Sequence, residues 1–206
     1  MKLYTSPRAP NPRRVTMFIA EKQIVGIEQI NVDINALEHK GDAYRHLNPL
    51  TTVPALALKD GRVLSESRAI CSWLEGQFPE PNLMGRDFDE RAFIEMADRR
   101  AEWYLLVPIA QVIRHTHPGL ATLEQPQFAD YGAAQRAKVL DYATRFDQLL
   151  QTQPWMAGQR FTIADITAFC ALEFARLMKF SPKAEGLAAL QAWRDRVAER
   201  PSAAAV

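Results

Sequence analysis

Apolar residues in the first third of the chain recur at strand spacing and at helix spacing in turn. Residues 2–5 predict a short buried strand, and the alternation over residues 27–32 predicts a second one. Between them, Val15 and Phe18 belong to a run with the period of a helix, which ends before Gly26. The order strand, helix, strand predicts a parallel pair of strands joined by a right-handed crossover.

A hairpin and a further helix are predicted next. Pro54 fits the first residue of a strand, since proline cannot donate a hydrogen bond to a sheet ladder. Asp60-Gly61 separates two short apolar runs, which is a strong hairpin signal. The acceptor-bearing side chains of residues 65–67 then mark a helix start. With one weaker helix before the hairpin, residues 1–78 have the element order of an α/β thioredoxin-like domain.

Only helix-like patterns follow the proline-rich linker at residues 79–86. Apolar residues at helical spacing predict four helices, over residues 87–113, 127–150 and 164–179 and through Trp193. Pro108 is expected to bend the first of these helices, because proline removes a hydrogen bond from the helix interior. The chain is therefore predicted to have an all-α domain over residues 87–206.

One helix start in this second domain has a specific pattern. Thr162 is followed three residues later by Asp165, which is the spacing of a capping box with aspartate in the place of the usual Glu or Gln. In such a box each of the two side chains accepts a hydrogen bond from the backbone of the other residue. We therefore predict a structural role for Asp165 rather than a catalytic one.

The composition limits the classes of partner. The chain has 25 Lys and Arg residues and 24 Asp and Glu residues, so its net charge is near zero. Neither nucleic acid nor an anionic membrane is therefore expected as a partner. No apolar run approaches the ~20 residues of a membrane span. No zinc, P-loop or dinucleotide motif is present, so no metal is expected. Cys71 and Cys170 fall within helical patterns, and buried free thiols in a reducing cytoplasm explain them better than a disulfide.

The pairs Val53-Pro54 and Glu66-Ser67, at this separation, resemble the glutathione-binding half of the glutathione transferases. The capping pattern at Thr162 and Asp165 extends the resemblance to the helical domain, and nearly the whole chain is similar to theta- and nu-like bacterial members. The resemblance implies a cis peptide bond before Pro54, a glutathione-binding first domain and a helical domain that contributes the electrophile site. The alternative interpretation of the local pattern is a plain hairpin followed by a capped helix.

The resemblance assigns glutathione contacts to two segments around the hairpin. The backbone of Val53 and Pro54 would pair with the cysteinyl part as an added strand. Thr52 precedes them, at a position where theta-like proteins often have Lys or Gln. The helix start at Ser67 is an anion site suited to the γ-glutamyl carboxylate, and Glu66 suits the neighbouring ammonium group.

A third segment, around His39 and Lys40, resembles a theta-class loop whose histidine and lysine reach the glycyl carboxylate of glutathione. A basic pair in a loop is otherwise solvated, and this is the alternative interpretation. The resemblance favours the contact with glutathione.

The group that activates the glutathione thiol lies, in this family, in the loop before the first helix. Ala9 occupies the position where several classes carry Ser or Thr, and it cannot donate a hydrogen bond. Asn11 matches the asparagine of bacterial groups whose loop reads Pro-Asn, so we predict Asn11 as the activating residue and Ser6 as the second candidate. The alternative role for Asn11 is a cap on the first helix. Arg13 and Arg14 lie at the start of this helix, and we expect them to face the ligand, a partner subunit or solvent.

The second-substrate site is expected against the first long helix of the helical domain, at Arg100, Trp103 and Tyr104. These residues lie within two turns and include amphipathic aromatic side chains, although plain helix packing is the alternative. We predict a homodimeric glutathione transferase that conjugates the glutathione thiolate to a small hydrophobic electrophile. The alternatives are a glutathione-dependent disulfide reductase or peroxidase, and a non-catalytic binding protein with this fold.

Overall fold

A computed structural model describes residues 1–7 and 9–205. By its internal contacts the chain divides into two units, Met1–Asn82 together with the residues from Pro201 on, and Leu83–Arg200. All four strands belong to the first unit, and the second unit is helical. No helix in the described part of the chain combines the length and the apolar character that crossing a membrane requires.

The first unit is built on a four-stranded mixed sheet. Its strands are β1 (Lys2–Thr5), β2 (Glu28–Asn31), β3 (Ala55–Ala57) and β4 (Val63–Ser65). The order across the sheet is β2-β1-β3-β4, with β1 and β2 parallel and β3 antiparallel to both of its neighbours. The predicted parallel pair and hairpin are therefore confirmed.

Three helices complete the first unit: α1 (Pro10–Glu21), α2 (Asp42–Leu47) and α3 (Ser67–Gln77). Tyr44 of α2 is buried with residues of the sheet. α1 and α3 pack against each other, and their contact includes a buried ion pair in which Lys22 Nζ lies 2.7 Å from Glu75 Oε2. A buried charge is unfavourable without its partner, so this ion pair holds the two helices in contact at this point.

The segment Pro201–Ala205 packs on α1 and belongs to the first unit. The sequence pattern placed it with the helical domain at residues 87–206. The difference arises because α1 supplies hydrogen-bond partners for the segment, among them the Arg13 guanidinium, whose Nη2 donates to the Ala203 carbonyl oxygen at 2.8 Å. Such contacts between distant parts of the chain leave no periodic signal in the sequence.

The helical unit contains α4 (Phe88–Ala101), α5 (Val107–Thr116), α6 (Ala129–Leu150), α7 (Ile163–Ala175) and α8 (Ala188–Ala198). A π-helical turn, Glu102–Leu106, joins α4 to α5 directly before Pro108. Proline cannot complete the regular hydrogen-bond ladder and its ring crowds the carbonyl four residues back, so a wider turn accommodates it.

The predicted capping box at the start of α7 is present. Thr162 Oγ1 accepts a hydrogen bond from Ala164 N at 3.3 Å, and Asp165 Oδ2 accepts one from Thr162 N at 2.9 Å. Asp165 is fully buried and its Oδ1 also accepts from Met156 N and Trp193 Nε1, both at 2.9 Å. The carboxylate thus joins three separate segments of the helical unit.

Candidate active site

The entrance to β3 has the backbone geometry that the resemblance implied. The peptide bond between Val53 and Pro54 is cis. Within the described part of the chain, no residue pairs with the backbone N–H or C=O of Val53. A partly exposed and unpaired backbone edge can bind an extended peptide as one more strand.

Two side chains hold the residue before this edge. The carbonyl oxygen of Thr52 accepts a hydrogen bond from Tyr44 Oη at 2.7 Å and another from Asn48 Nδ2 at 2.9 Å. Burial raises the pKa of Tyr44 to about 12, so its hydroxyl remains a donor across the physiological range. Thr52 is exposed, and its Oγ1 also accepts a hydrogen bond from Asn48 Nδ2, at 3.1 Å, so both its backbone and its side chain are held in the loop.

The junction between β4 and α3 has an unusual backbone. Glu66 has φ of 65° and ψ of 110°, in a region that non-glycine residues rarely occupy, and its side chain is exposed. Conformations of this kind cost ~1–3 kcal/mol and occur preferentially at ligand clamps. The next residue, Ser67, begins α3, and the side chain of Glu66 at the cap position forms no capping hydrogen bond. Its first N–H groups are thus oriented to receive an acceptor from outside the helix.

A chain of hydrogen bonds links this helix start to α1. Arg14 Nη1 donates to Ser67 Oγ at 2.9 Å, and Ser67 Oγ donates to Asn11 Oδ1 at 3.4 Å. The Arg14 side chain is fully buried and Ser67 is nearly so, whereas Asn11 is exposed. Because the carbonyl oxygen of the Asn11 side chain is engaged, its amide N–H groups are directed away from Ser67.

Asn11 is not the cap of α1. The cap position is occupied by Ala9, whose backbone is extended, and no side chain hydrogen-bonds to the first turn from that position. Ser6, the second candidate for thiol activation, is buried at the end of β1, and its carbonyl oxygen accepts a hydrogen bond from Ala9 N at 3.1 Å. The structure therefore brings Asn11, but not Ser6, into the hydrogen-bond chain with Ser67.

His39 and Lys40 lie in a 3₁₀ turn and occupy different environments. Lys40 is exposed and its Nζ donates to Thr51 Oγ1 at 2.9 Å, which brings it to the loop that precedes β3. His39 is buried, and its Nδ1 has no hydrogen-bond partner among the described residues. Burial, and then the charge of Lys40, lower the pKa of His39, so its ring is neutral at pH 7.

The three candidates for the second-substrate site lie on the helical unit. Trp103 and Tyr104 are in the π-helical turn and are 60% and 43% exposed, so neither is a core residue. Tyr104 stacks on Tyr142 of α6, with ring centroids 4.6 Å apart. Arg100, one turn earlier, is exposed. The two aromatic rings therefore provide apolar surface in contact with solvent.

The sequence interpretation left Arg14 among three possible environments, and the structure places it in a fourth, the interior of the first unit. A partial signal was available, because Arg14 lies four residues before the apolar Phe18 and so on the same face of the helix. The packing buries this face, with Lys22 as well. The supporting roles of Tyr44 and Asn48 had no such signal, since their partner is a backbone carbonyl.

Comparisons with known proteins agree with this geometry. The family model described as glutathione S-transferase, N-terminal domain, matches residues 9–77, and the model described as glutathione S-transferase, C-terminal domain, matches residues 104–201. Glutathione S-transferase 2 of Saccharomyces cerevisiae is 35% identical over 204 residues, which cover 98% of this chain and 87% of that protein.

Two crystal structures are similar over almost the entire chain. That of Gtt2 from Saccharomyces cerevisiae has a TM-score of 0.92 at 35% identity and covers 98% of both chains. That of a glutathione S-transferase domain-containing protein from Marinobacter aquaeolei VT8 has a TM-score of 0.92 at 38% identity, covering 98% of this chain and 99% of the other.

The chain belongs to the glutathione S-transferase family. The predicted fold class, a thioredoxin-like unit with an all-α unit, and the predicted enzyme class, glutathione transferase, are confirmed. The family uses glutathione as its co-substrate.

Proposed function

We propose that this chain binds glutathione in its first unit and conjugates the glutathione thiolate to a small hydrophobic electrophile. The observation that carries the proposal is the hydrogen-bond chain from buried Arg14 through Ser67 to Asn11. This chain of hydrogen bonds connects the start of α3, which suits a carboxylate, to the Asn11 side chain, which suits a thiolate. The same unit provides the backbone edge at Val53, which no other described residue pairs.

Each part of glutathione has a suitable group in this unit. The γ-glutamyl carboxylate fits the start of α3 at Ser67, where uncapped N–H groups, the helix dipole and the Arg14 charge all favour an anion. The exposed carboxylate of Glu66 suits the adjacent ammonium group. The cysteinyl backbone fits the edge at Val53, and the glycyl carboxylate fits the exposed Lys40, whereas the Nδ1 of the neighbouring His39 is buried.

Thiol activation is assigned to Asn11. A free thiol has a pKa of about 8.5, and lowering it by ~2 units requires ~2.7 kcal/mol of preferential stabilisation of the thiolate. The Asn11 amide can donate to a sulfur anion without titrating itself. The thiol proton then leaves to solvent, the sulfur forms a bond to the electrophilic carbon, and the bond from that carbon to the leaving group breaks with its electron pair.

The electrophile is assigned to the surface formed by Arg100, Trp103 and Tyr104. The stacked and partly exposed ring of Tyr104 supports this assignment, because such rings contribute apolar area together with a polar hydroxyl. We further propose a two-fold homodimer, which the exposed apolar side chains of Phe93 and Met96 on α4 support. The buried thiols of Cys71 and Cys170, which are not joined in a disulfide, support a reducing cytoplasm as its location.

Glutathione is expected to raise the thermal stability of the protein, and the Glu66→Ala variant is expected to lose most of that rise. A ligand at about 100 times its Kd adds ~2.7 kcal/mol to the native state. The measurement is thermal unfolding across a glutathione series. Glu185→Ala, which removes an exposed glutamate of the helical unit, is the matched control and should respond like the unaltered chain. An unaltered chain that shows no shift at millimolar glutathione contradicts the proposed binding site.

Replacing Asn11 by alanine is expected to lower kcat by about 100-fold, while the Kd for glutathione changes little, since one hydrogen bond aimed at an anion typically contributes this much. The two quantities are measured by steady-state kinetics and by calorimetry. Asn35→Ala, at an exposed position of a neighbouring loop, is the control and should retain the original kcat. Equal losses in kcat and in glutathione affinity would remove Asn11 from the catalytic role.

A further inference from the structure

The segment Pro201–Ala205 packs against α1. Arg13 Nη2 donates to the Ala203 carbonyl oxygen at 2.8 Å. Thr16 Oγ1 lies 3.2 Å from the Arg13 carbonyl oxygen and 3.5 Å from the Ala205 carbonyl oxygen, and its one proton is shared between them. Ser202 hydrogen-bonds through its hydroxyl to the Glu21 carboxylate. Ser202 and Ala203 are 3% and 8% exposed, so the segment is packed and not merely adjacent.

We propose that the segment Pro201–Ala205, acting through Arg13, positions the first turn of α1 so that Asn11 and Arg14 meet Ser67. This inference rests on the proposed function, because it assigns to the segment a share in glutathione affinity and thiol activation. Arg13 is a positioning residue in this proposal, since it acts through its neighbours.

The first turn of α1 has few local anchors of its own. The cap residue Ala9 provides no side-chain hydrogen bond, the turn contains no acidic residue, and prolines occupy two of its positions. Proline provides no N–H group, and two consecutive arginines at a helix start oppose the helix dipole. The location of this turn therefore depends on contacts with other parts of the chain.

Those contacts come from two directions. Consecutive residues of a helix project about 100° apart around its axis. Arg13 reaches the segment 201–205 through Ala203, and Arg14 reaches α3 through Ser67. The two neighbouring guanidinium groups thus hold the same turn between the segment and α3.

The hydrogen bond from Ser67 to Asn11 is the contact most sensitive to a shift of this turn. Its oxygen–oxygen distance is 3.4 Å, near the upper limit for a hydrogen bond, so a displacement of a few tenths of an ångström breaks it. The Asn11 amide would then lose its orientation towards the thiol. Misplacement of a catalytic group by ~1 Å can lower a rate by ~100-fold.

The experiment compares the unaltered chain with a chain that ends at Arg200 and with Arg13→Met. Three quantities are measured: amide hydrogen exchange of residues 10–22, the Kd for S-methylglutathione, and the pKa of the bound glutathione thiol from the ultraviolet absorbance of the thiolate. In both variants we expect faster exchange in the first turn of α1, about 10-fold weaker binding and a thiol pKa nearer to that of free glutathione. Arg13→Lys should restore part of the binding, because a lysine can still donate to the carbonyl.

Arg62→Met is the matched control, because Arg62 is an exposed arginine of the same unit in the β3–β4 turn, and it should leave all three quantities unchanged. If the shortened chain fails to fold, the Arg13→Met variant alone tests the proposal. Unchanged exchange, or unchanged binding and thiol pKa, in folded Arg13→Met would overturn the proposal. An unaltered chain that binds no glutathione would instead refute the proposed function, and hydrogen exchange would still test whether the segment holds the turn.

Discussion

Replacing Asp165 by alanine is expected to lower the free energy of unfolding of the helical unit by about 4 kcal/mol. The substitution leaves three buried N–H donors, those of Met156, Thr162 and Trp193, without their acceptor. Each unsatisfied buried donor costs ~1–3 kcal/mol, and bulk water does not reach these donors at a fully buried position. Urea unfolding, followed by the far-ultraviolet circular dichroism of the helices, measures the loss.

The matched control is Asp141→Ala. Asp141 is an exposed aspartate of α6 that pairs with Arg145 one turn later, and a pair of this kind contributes ~0.3–0.5 kcal/mol. Asp165→Asn should also destabilise the helical unit. The NH2 group of the asparagine would face the Thr162 N–H, which needs the acceptor that the carboxylate provides. A loss below ~1 kcal/mol for Asp165→Ala would contradict the structural role.

The cost of Asp165→Ala should also depend on pH. Burial raises the pKa of Asp165 from 3.8 to about 6, against the hydrogen bonds from Met156, Trp193 and Thr162, which favour the ionised form. The folded state therefore binds the proton more tightly than the unfolded state, so the contribution of Asp165 is greatest below pH 4 and falls as the pH rises through 6. The difference in the free energy of unfolding between the unaltered chain and Asp165→Ala should accordingly be larger at pH 5 than at pH 7, by about 1 kcal/mol.

Replacing Arg14 by methionine is expected to weaken glutathione binding by about 30-fold. Arg14 is fully buried and donates to Ser67, so its loss removes both a positive charge behind the start of α3 and the donor that orients the Ser67 hydroxyl. A hydrogen bond to a charged group contributes ~1.5–3 kcal/mol, and ~2 kcal/mol corresponds to this fold-change. The Kd is measured by calorimetry well below the unfolding temperature of the variant, so that only folded protein contributes.

A double-mutant cycle with Ser67→Ala separates this effect from a general loss of stability. Because Arg14 acts on the ligand partly through Ser67, the two substitutions together should cost ~1 kcal/mol less than the sum of the separate losses. Strict additivity of the two losses would place the action of Arg14 elsewhere. Lys22→Met, which removes a buried cation directly after the C-terminal end of α1, is the control for the loss of a buried positive charge.

Local sequence determined those features whose cause lies within a few residues. The Asp60-Gly61 turn and the Thr162–Asp165 capping box act through backbone hydrogen bonds and nearby side chains, and each is found where it was expected. The helical periods of the second half also match helices, except that a π-helical turn divides the first predicted helix into α4 and α5. The family resemblance added the cis bond before Pro54. These are short-range constraints, so they can be recognised before any packing is known.

Tertiary structure decided which distant side chains meet. Arg14 and Ser67 are 53 positions apart and Arg13 and Ala203 are 190 apart, and no period in the sequence relates them. Whether a helical arginine faces solvent or the interior depends on the rotation of its helix against its neighbours, which the burial of many side chains sets together. The sequence by itself therefore determined the elements and the family of this protein, and packing alone decided that Arg14, Ser67 and Asn11 form one hydrogen-bonded chain.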